Sequence, residues 1–345
     1  MTMDVDMLRQ LCEAPGAGGL TAAAETAAAF LRPLVDSVET DPLGNVLGLR
    51  RCGLDNAPLL LLEAHIDEIG FVVTSIDKQG FVHVSPCGGV DKRTLAAAEV
   101  TLWADKPLQG VFCSTPPHLS GGQKEGEEGL PEIPDLGLDV GLDARRAAKR
   151  VPIGTRGTLS ARFERLNDHL VCSKALDDRA GVAAILYALT LLQKEPLRCD
   201  LAVAFAVQEE LGCRGSAAAA FACQPSAAIA TDVSFAFTPD AKRAKCGELG
   251  KGPMLGFAPS LDAAMTGALE RLAAKEKIAL QSEVMGGDTG TDADSISGTR
   301  EGIPTALLSI PLRYMHTPNE LIDVRDAEAV GRLMAAYVRE GGVQA

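Results

Sequence analysis

Runs of aliphatic residues that break off at a chemically active side chain recur along this chain. Leu59 to Ala64 leads into His65-Ile66-Asp67-Glu68, and Leu201 to Val207 into Gln208-Glu209-Glu210. Ala227 to Thr231 leads into Asp232, and Ala306 to Leu312 into Tyr314-Met315-His316. Apolar runs of about 4 to 8 residues read as strands buried on both faces of an α/β sheet. Ligands gather in the crevice outside the carboxyl ends of such strands. The pattern therefore predicts that these polar residues converge.

Around these runs, an Ala-rich helix is predicted over 20–31, with strands at 37–40 and 46–50. From Phe71 the texture changes to short β-prone segments, 71–75, 81–85, 99–103, 109–113 and 157–163, separated by Gly, Pro, Asp and Lys. That spacing predicts a small barrel or sandwich. A short amphipathic helix over 143–149 and a longer, mostly apolar one over 177–192 follow. The chain then alternates between strand and helix at 201–207, 215–221, 227–231, 260–277, 303–312 and 326–339. The expected organisation is one α/β domain built from residues 1–70 and 163–345, interrupted by a β domain over 71–162. Residues 114–134, rich in Pro, Gly, Glu and Lys, cannot bury much apolar surface and are expected to form a mobile loop.

Composition narrows the classes of function. The chain has 345 residues, 46% of them hydrophobic, enough for a substantial core. Its 46 acidic residues against 33 basic ones give a formal charge of −13, which repels nucleic acid and anionic membranes. No apolar run approaches the roughly 20 residues of a membrane span, and the first residues lack a signal-peptide pattern. A cytoplasmic location is the expectation. The nine cysteines are scattered without a CxxC pair, so neither a disulfide framework nor a thiolate zinc site is expected.

The polar residues themselves suggest chemistry. His65 and Asp67 stand at i and i+2, on one face of an extended segment, where the carboxylate can orient a metal-binding imidazole. Asp177 and Asp178 precede an Ala-rich helix; one reading makes them caps that complement the helix dipole, the other makes Asp177 a bridge between two ions. Glu209 and Glu210 repel each other unless a cation intervenes, and binding Glu210 to a metal leaves Glu209 free to move a proton. With Asp232 and His316, the set comprises two histidines and three carboxylate ligands, suited to two divalent ions that share one carboxylate. Imidazole mixed with carboxylate favours zinc, cobalt or manganese over calcium. His83, His118 and His169 read as structural or loop residues.

The segments His65-Ile66-Asp67-Glu68-Ile69-Gly70-Phe71, Ala175-Leu176-Asp177-Asp178-Arg179-Ala180-Gly181, Val207-Gln208-Glu209-Glu210-Leu211-Gly212, Thr231-Asp232-Val233 and Tyr314-Met315-His316-Thr317-Pro318 resemble, in order, the motifs of the tetrahedral (TET) or glutamyl aminopeptidases. These are dinuclear metallopeptidases, some of which have been called endoglucanases. The likeness continues in Gly247-Glu248-Leu249-Gly250-Lys251-Gly252-Pro253 and Gly290-Thr291-Asp292-Ala293, and spans nearly the whole chain.

The resemblance implies a mixed-sheet, zinc-aminopeptidase-like catalytic domain with an inserted β-barrel or sandwich domain that serves dimerisation. It implies that His65, Asp177 and Asp232 hold one ion and Asp177, Glu210 and His316 the other. Glu209 would be general base and acid, with Asp67 supporting His65. Expected partners are peptides and further copies of the chain, as dimers assembling into a dodecamer. Rival readings are a metal-dependent carboxypeptidase or deacylase on the same scaffold, and a non-catalytic metal-binding assembly protein. Arg300 and Arg313 are candidates to pair with an acidic substrate side chain.

Overall fold

A computed structural model describes residues 2–116, 118–119 and 131–342. The acidic stretch Lys124 to Glu128, and most of the loop expected around it, lies outside the described residues. The centre of the fold is an eleven-stranded mixed sheet. Its heart is four parallel strands in the order Asp200–Ala206, Leu59–His65, Ala227–Phe235, Thr305–Arg313. The predicted aliphatic runs are these strands. Their residues are buried almost throughout, because helices cover both faces.

Side chains alternate between the two covering layers. Leu60, Leu62, Val203, Phe205 and Ile229 pack toward Leu176–Leu192 and Val324–Arg339 on one face, whereas Leu61, Ala202, Ala204, Ala228 and Leu307 face Arg214–Cys223 and Asp292–Ser297 on the other. Antiparallel strands extend the sheet on both sides: Val46–Arg50 and Ser37–Thr40 beyond Asp200–Ala206, and Glu320–Asp323, Leu170–Ser173 and Glu164–Arg165 beyond Thr305–Arg313. Met254–Phe257 and Gln281–Val284 add a side branch on Thr305–Arg313.

The β-prone stretch is a closed barrel rather than a sandwich. Its strands Gly70–Ile76, Val82–Cys87, Leu138–Asp139, Pro107–Phe112, Glu99–Trp103 and Arg156–Leu159 pair in that order and close on the first. Closure removes sheet edges. Its interior is filled by Phe71, Val84, Val100, Leu102, Phe112 and Leu159, with the Phe71 and Phe112 rings edge to face at 5.2 Å.

The structure adds elements that the sequence pattern did not predict. Val5–Glu13 is a helix capped by Asp4, which accepts from the Asp6 and Met7 amides, and it buries Met7, Leu8, Leu11 and Cys12. The short strands 254–257, 281–284 and 320–323 were also unpredicted, whereas the apolar strand expected after His169 is Leu170–Ser173. Among the described residues all nine cysteines are free, as their scatter suggested.

Candidate metal centre

The carboxyl ends of the four parallel strands open at one edge of the sheet, and the turns that leave them carry the polar residues. His65 closes its strand. Glu209 and Glu210 lie in the tight turn after Asp200–Ala206, where the Gly212 and Cys213 amides donate to Glu209 O. Asp232 departs from the expected strand end: it sits within Ala227–Phe235, paired with Ser309. It reaches the same edge because the pairing with Leu59–His65 stops at Ala230. His316 lies three residues beyond Thr305–Arg313. Several residues around the site take left-handed backbone, Ala175 (φ 55°), Gln208 (64°), Cys213 (54°), Tyr314 (63°) and His316 (62°). Each costs about 1–3 kcal/mol, and such strain clusters at functional sites.

All five expected ligands come together. His65 Nε2 lies 3.0 Å from Asp177 Oδ1 and 3.8 Å from Asp232 Oδ1. His316 Nε2 lies 3.3 Å from Asp177 Oδ2 and 3.3 Å from Glu210 Oε1. The two oxygens of Asp177 thus face two separate groups. Ligands on a tetrahedral ion at 2.0–2.1 Å stand about 3.3 Å apart; the His65–Asp177 contact and both His316 contacts are near that spacing, the His65–Asp232 distance is longer, and His65, Asp177 and Glu210 each offer a ligand atom within 4.8 Å of one another. The Asp177–Asp178 peptide is cis. The helix over 176–192 begins here, and its two leading carboxylates divide their tasks: Asp178 Oδ1 accepts from the Gly181 amide at 3.0 Å, while Asp177 turns to the site. The capping reading therefore holds for Asp178 and fails for Asp177.

The electrostatics also fit a cation. Burial opposes ionisation of Asp177, but hydrogen bonds from His316 and His65 outweigh it and hold this carboxyl below the usual range. Burial, reinforced by Asp178, Asp177 and Glu209 against the pull of His65, pushes Asp232 well above its ordinary value. Burial likewise raises Glu210. Burial disfavours charge on His316, yet Asp177 and Glu210 push its pKa up to about 11. So many buried carboxylates in one place repel one another unless positive charge is brought to them. Divalent cations supply the missing positive charge directly.

Asp67 ties the site together. Its Oδ1 accepts from the Glu209 amide at 3.1 Å and lies 3.5 Å from His65 Nδ1, a nitrogen with no other partner. Glu209 Oε1 is 3.4 Å from Cys213 Sγ. Burial pushes Glu209 up to about 7; His65 opposes this, while Asp292, Glu210 and Asp177 reinforce it. Glu209, Cys213 and Asp292 form a second cluster with ligand spacing, but burial and the carboxylates of Asp292 and Glu209 drive the Cys213 pKa far up. A thiol that keeps its proton is a poor ligand.

Supporting residues that sequence reasoning passed over hold these groups. Glu320, buried, accepts from the Asp177 amide at 3.1 Å and the His316 amide at 3.0 Å, fixing one member of each group. Its one signal was position, four residues after His316. Glu68, inside a quoted motif but given no role, pairs with Lys174 at 2.7 Å and Arg179 at 3.4 Å and accepts from the Gly16 amide. Arg179 is fully buried and donates to the Ile66, Leu11 and Ala14 carbonyls. Beneath the site, Glu63 is buried against Asp292, and burial together with that neighbouring carboxyl raises its pKa well above the usual range.

The barrel contributes to the site as well. His316 Nδ1 meets Gly89 O at 2.9 Å. A Cβ at Gly88 would stand 2.8 Å from Glu210 Oε2, and one at Gly89 2.8 Å from His316 Nδ1, so the approach of this loop requires glycine. His83 belongs to the barrel, near Asp77 and Pro134; His118 and His169 are exposed on turns. Arg300 stacks on Phe221, and Arg313 donates to Phe237 O. Neither lines the cavity of about 440 Å³ that opens over Asp177, Glu209, Glu210, Asp232 and His316, so the pairing of either arginine with an acidic substrate is not supported.

Comparison with known proteins agrees with this geometry. A model of the M42 glutamyl aminopeptidase family matches residues 44–333. A lysyl aminopeptidase of Pyrococcus furiosus is 35% identical over 343 residues, covering 98% of this chain and 97% of its own. The structure of an aminopeptidase from the archaeon Desulfurococcus kamchatkensis superposes with a TM-score of 0.90 at 30% identity, covering 97% of this chain and 94% of that one. The TET1 peptidase of Pyrococcus horikoshii, which assembles into a tetrahedron or a large octahedral shell, gives a TM-score of 0.84 at 28% identity over 97% and 99% of the two chains.

Proposed function

The chain belongs to the M42 glutamyl aminopeptidase family of peptidases, and from that premise we propose that it is a dinuclear-metal aminopeptidase that removes N-terminal residues from short peptides. The observation that carries the dinuclear reading is Asp177, whose two oxygens each face a different histidine. His65, Asp177 and Asp232 would hold one ion, and Asp177, Glu210 and His316 the other. Zinc or cobalt suits this mixture of imidazole and carboxylate best, with manganese next.

With both ions bound, the site would polarise the scissile carbonyl and lower the pKa of a water molecule. Glu209 accepts the proton of the attacking water and returns it to the leaving amine. Burial raises its pKa above the usual carboxylate range, the direction that helps a carboxylate take up a proton. Asp67 aims His65 and, through the Glu209 amide, holds the base beside it. Glu320 steadies Asp177 and His316.

Residues 71–162, which carry none of these ligands, would serve as a dimerisation domain inserted into a catalytic domain of residues 1–70 and 163–345. The TET1 neighbour supports a homo-oligomer, most simply a dodecamer assembled from dimers. Among the described residues no helix is long and apolar enough to cross a membrane.

The test is a panel of chromogenic aminoacyl substrates with free and blocked amino groups, given to protein stripped of metal and reloaded with zinc, cobalt or manganese. The proposal expects turnover of free-amino substrates only, restored by reloading. Equal turnover of blocked substrates would make the protein a deacylase. Metal uptake with no turnover would make it a binding protein.

A further inference from the structure

One carboxylate in the cavity has no part in the chemistry above. Glu283 lines the same cavity as Asp177, Glu209, Glu210 and Asp232, from the short strand Gln281–Val284. Two buried hydroxyls fix it, Ser234 Oγ donating to Oε1 and Ser309 Oγ to Oε2, the latter at 2.7 Å. Hydroxyls orient a carboxylate but bring no countercharge. Among the described residues no Lys or Arg lines this cavity, and Glu283 has no ion-pair partner. A half-buried acid held facing a cavity with no cation supplied by the protein is a receptor for one that arrives.

Its position relative to the metal centre defines what arrives. Ser234 follows Asp232 by two residues in Ala227–Phe235, so both point to the same face, about 6.7 Å apart along the strand. Ser309 pairs with Asp232 in the neighbouring strand. The carboxylate bonded to both serines thus lies beside the strand face that carries Asp232, within reach of a side chain that extends from the metal-binding residues. Phe235 and Met315 line the same cavity and offer apolar surface to a methylene stem.

We infer that Glu283 receives the side chain of the substrate's N-terminal residue and selects lysine and arginine there. This rests on the aminopeptidase reading, because only a residue whose α-carbon sits at the metal centre projects its side chain to Glu283. A rival task for the same carboxylate, holding the substrate's α-amino group, makes a different prediction, since every aminopeptidase substrate carries that group.

The experiment compares wild type with Glu283→Gln, which keeps shape and can still bond the serines. The kcat/KM values of lysyl, arginyl, norleucyl and glutamyl substrates are measured, with metal content and thermal unfolding as controls for folding. Wild type is expected to favour the lysyl over the norleucyl substrate, which has the same four-carbon stem without the terminal ammonium. The substitution removes a charge-assisted contact and is expected to lower the lysyl and arginyl values about 10- to 100-fold, chiefly through KM, while norleucyl changes less than about threefold. An equal loss on all four substrates would assign Glu283 to the α-amino group and overturn the inference, as would a wild-type preference for glutamyl or norleucyl.

Calorimetry of L-lysine against L-norleucine reads the same pocket without turnover. Lysine is expected to bind wild type at least about tenfold more tightly, a difference that disappears in Glu283→Gln. Equal binding of the two amino acids by wild type would overturn the inference. Absence of turnover with this lysine preference intact would leave the pocket standing and sink the aminopeptidase reading alone.

Discussion

Glu209 and Glu210 are adjacent residues of identical chemistry to which the site gives opposite tasks, so their amide variants separate the mechanism into parts. Glu210 Oε1 lies 3.3 Å from His316 Nε2, inside one ligand group. Glu209 stands outside both groups, its amide on Asp67 and its carboxylate beside Cys213. Glu209→Gln keeps the backbone bond and the shape but cannot accept a proton. Loss of a placed general base costs about 10²- to 10⁴-fold in rate, or roughly 2.7–5.5 kcal/mol of barrier. Metal content is expected to stay at the wild-type level. Glu210→Gln replaces a charged ligand by a neutral one, so its metal affinity should fall by more than the roughly 10- to 100-fold typical of residues that only support ligands. The assay is metal content by mass spectrometry after desalting, beside kcat on the best substrate. If Glu209→Gln empties the site while Glu210→Gln stays loaded, the assignments are reversed; if neither change slows turnover, the active site lies elsewhere.

Other perturbations follow from the same structure. Glu320→Gln, which touches no proposed ion, should weaken metal binding about 10- to 100-fold through Asp177 and His316, and unchanged affinity in a titration would contradict that support. Arg179→Met removes one of the two buried cations paired with Glu68 and strips three carbonyls of their donor, and should lower unfolding stability by about 3–5 kcal/mol in chemical denaturation. A variant as stable as wild type would remove that network from the account. His83→Ala should leave metal content unchanged, because His83 pairs within the barrel. Light scattering should find an oligomer at micromolar concentration, and a stable monomer would refute the proposed assembly.

The strands that build the site are legible in sequence because burial on both faces leaves long unbroken aliphatic runs, and each ends where a side chain must turn polar. Asp232 was read at a strand end for that reason, yet the strand runs on to Phe235: the polar residue marks where its neighbour stops, which one strand's sequence does not record. Helix Val5–Glu13 carries its apolar residues at helical spacing but is only nine residues long, too short for the period to stand out from the sequence alone. Glu320 and Glu283 were illegible for a different reason. Both lie on four-residue strands whose pairing is set by distant segments, and neither offers a periodic signal of its own. The difference between barrel and sandwich likewise rests on Arg156–Leu159 meeting both Gly70–Ile76 and Glu99–Trp103, a closure across more than half the inserted stretch.

Bridging of two ions by Asp177 is read from metal stoichiometry at a defined protein concentration. Wild type loaded with excess zinc or cobalt and then desalted should carry about two ions per chain. Asp177→Asn should lose both together, because Oδ1 faces His65 and Oδ2 faces His316. A wild-type chain that retains a single ion under metal excess, or an Asp177→Asn chain that still holds two, would contradict the account.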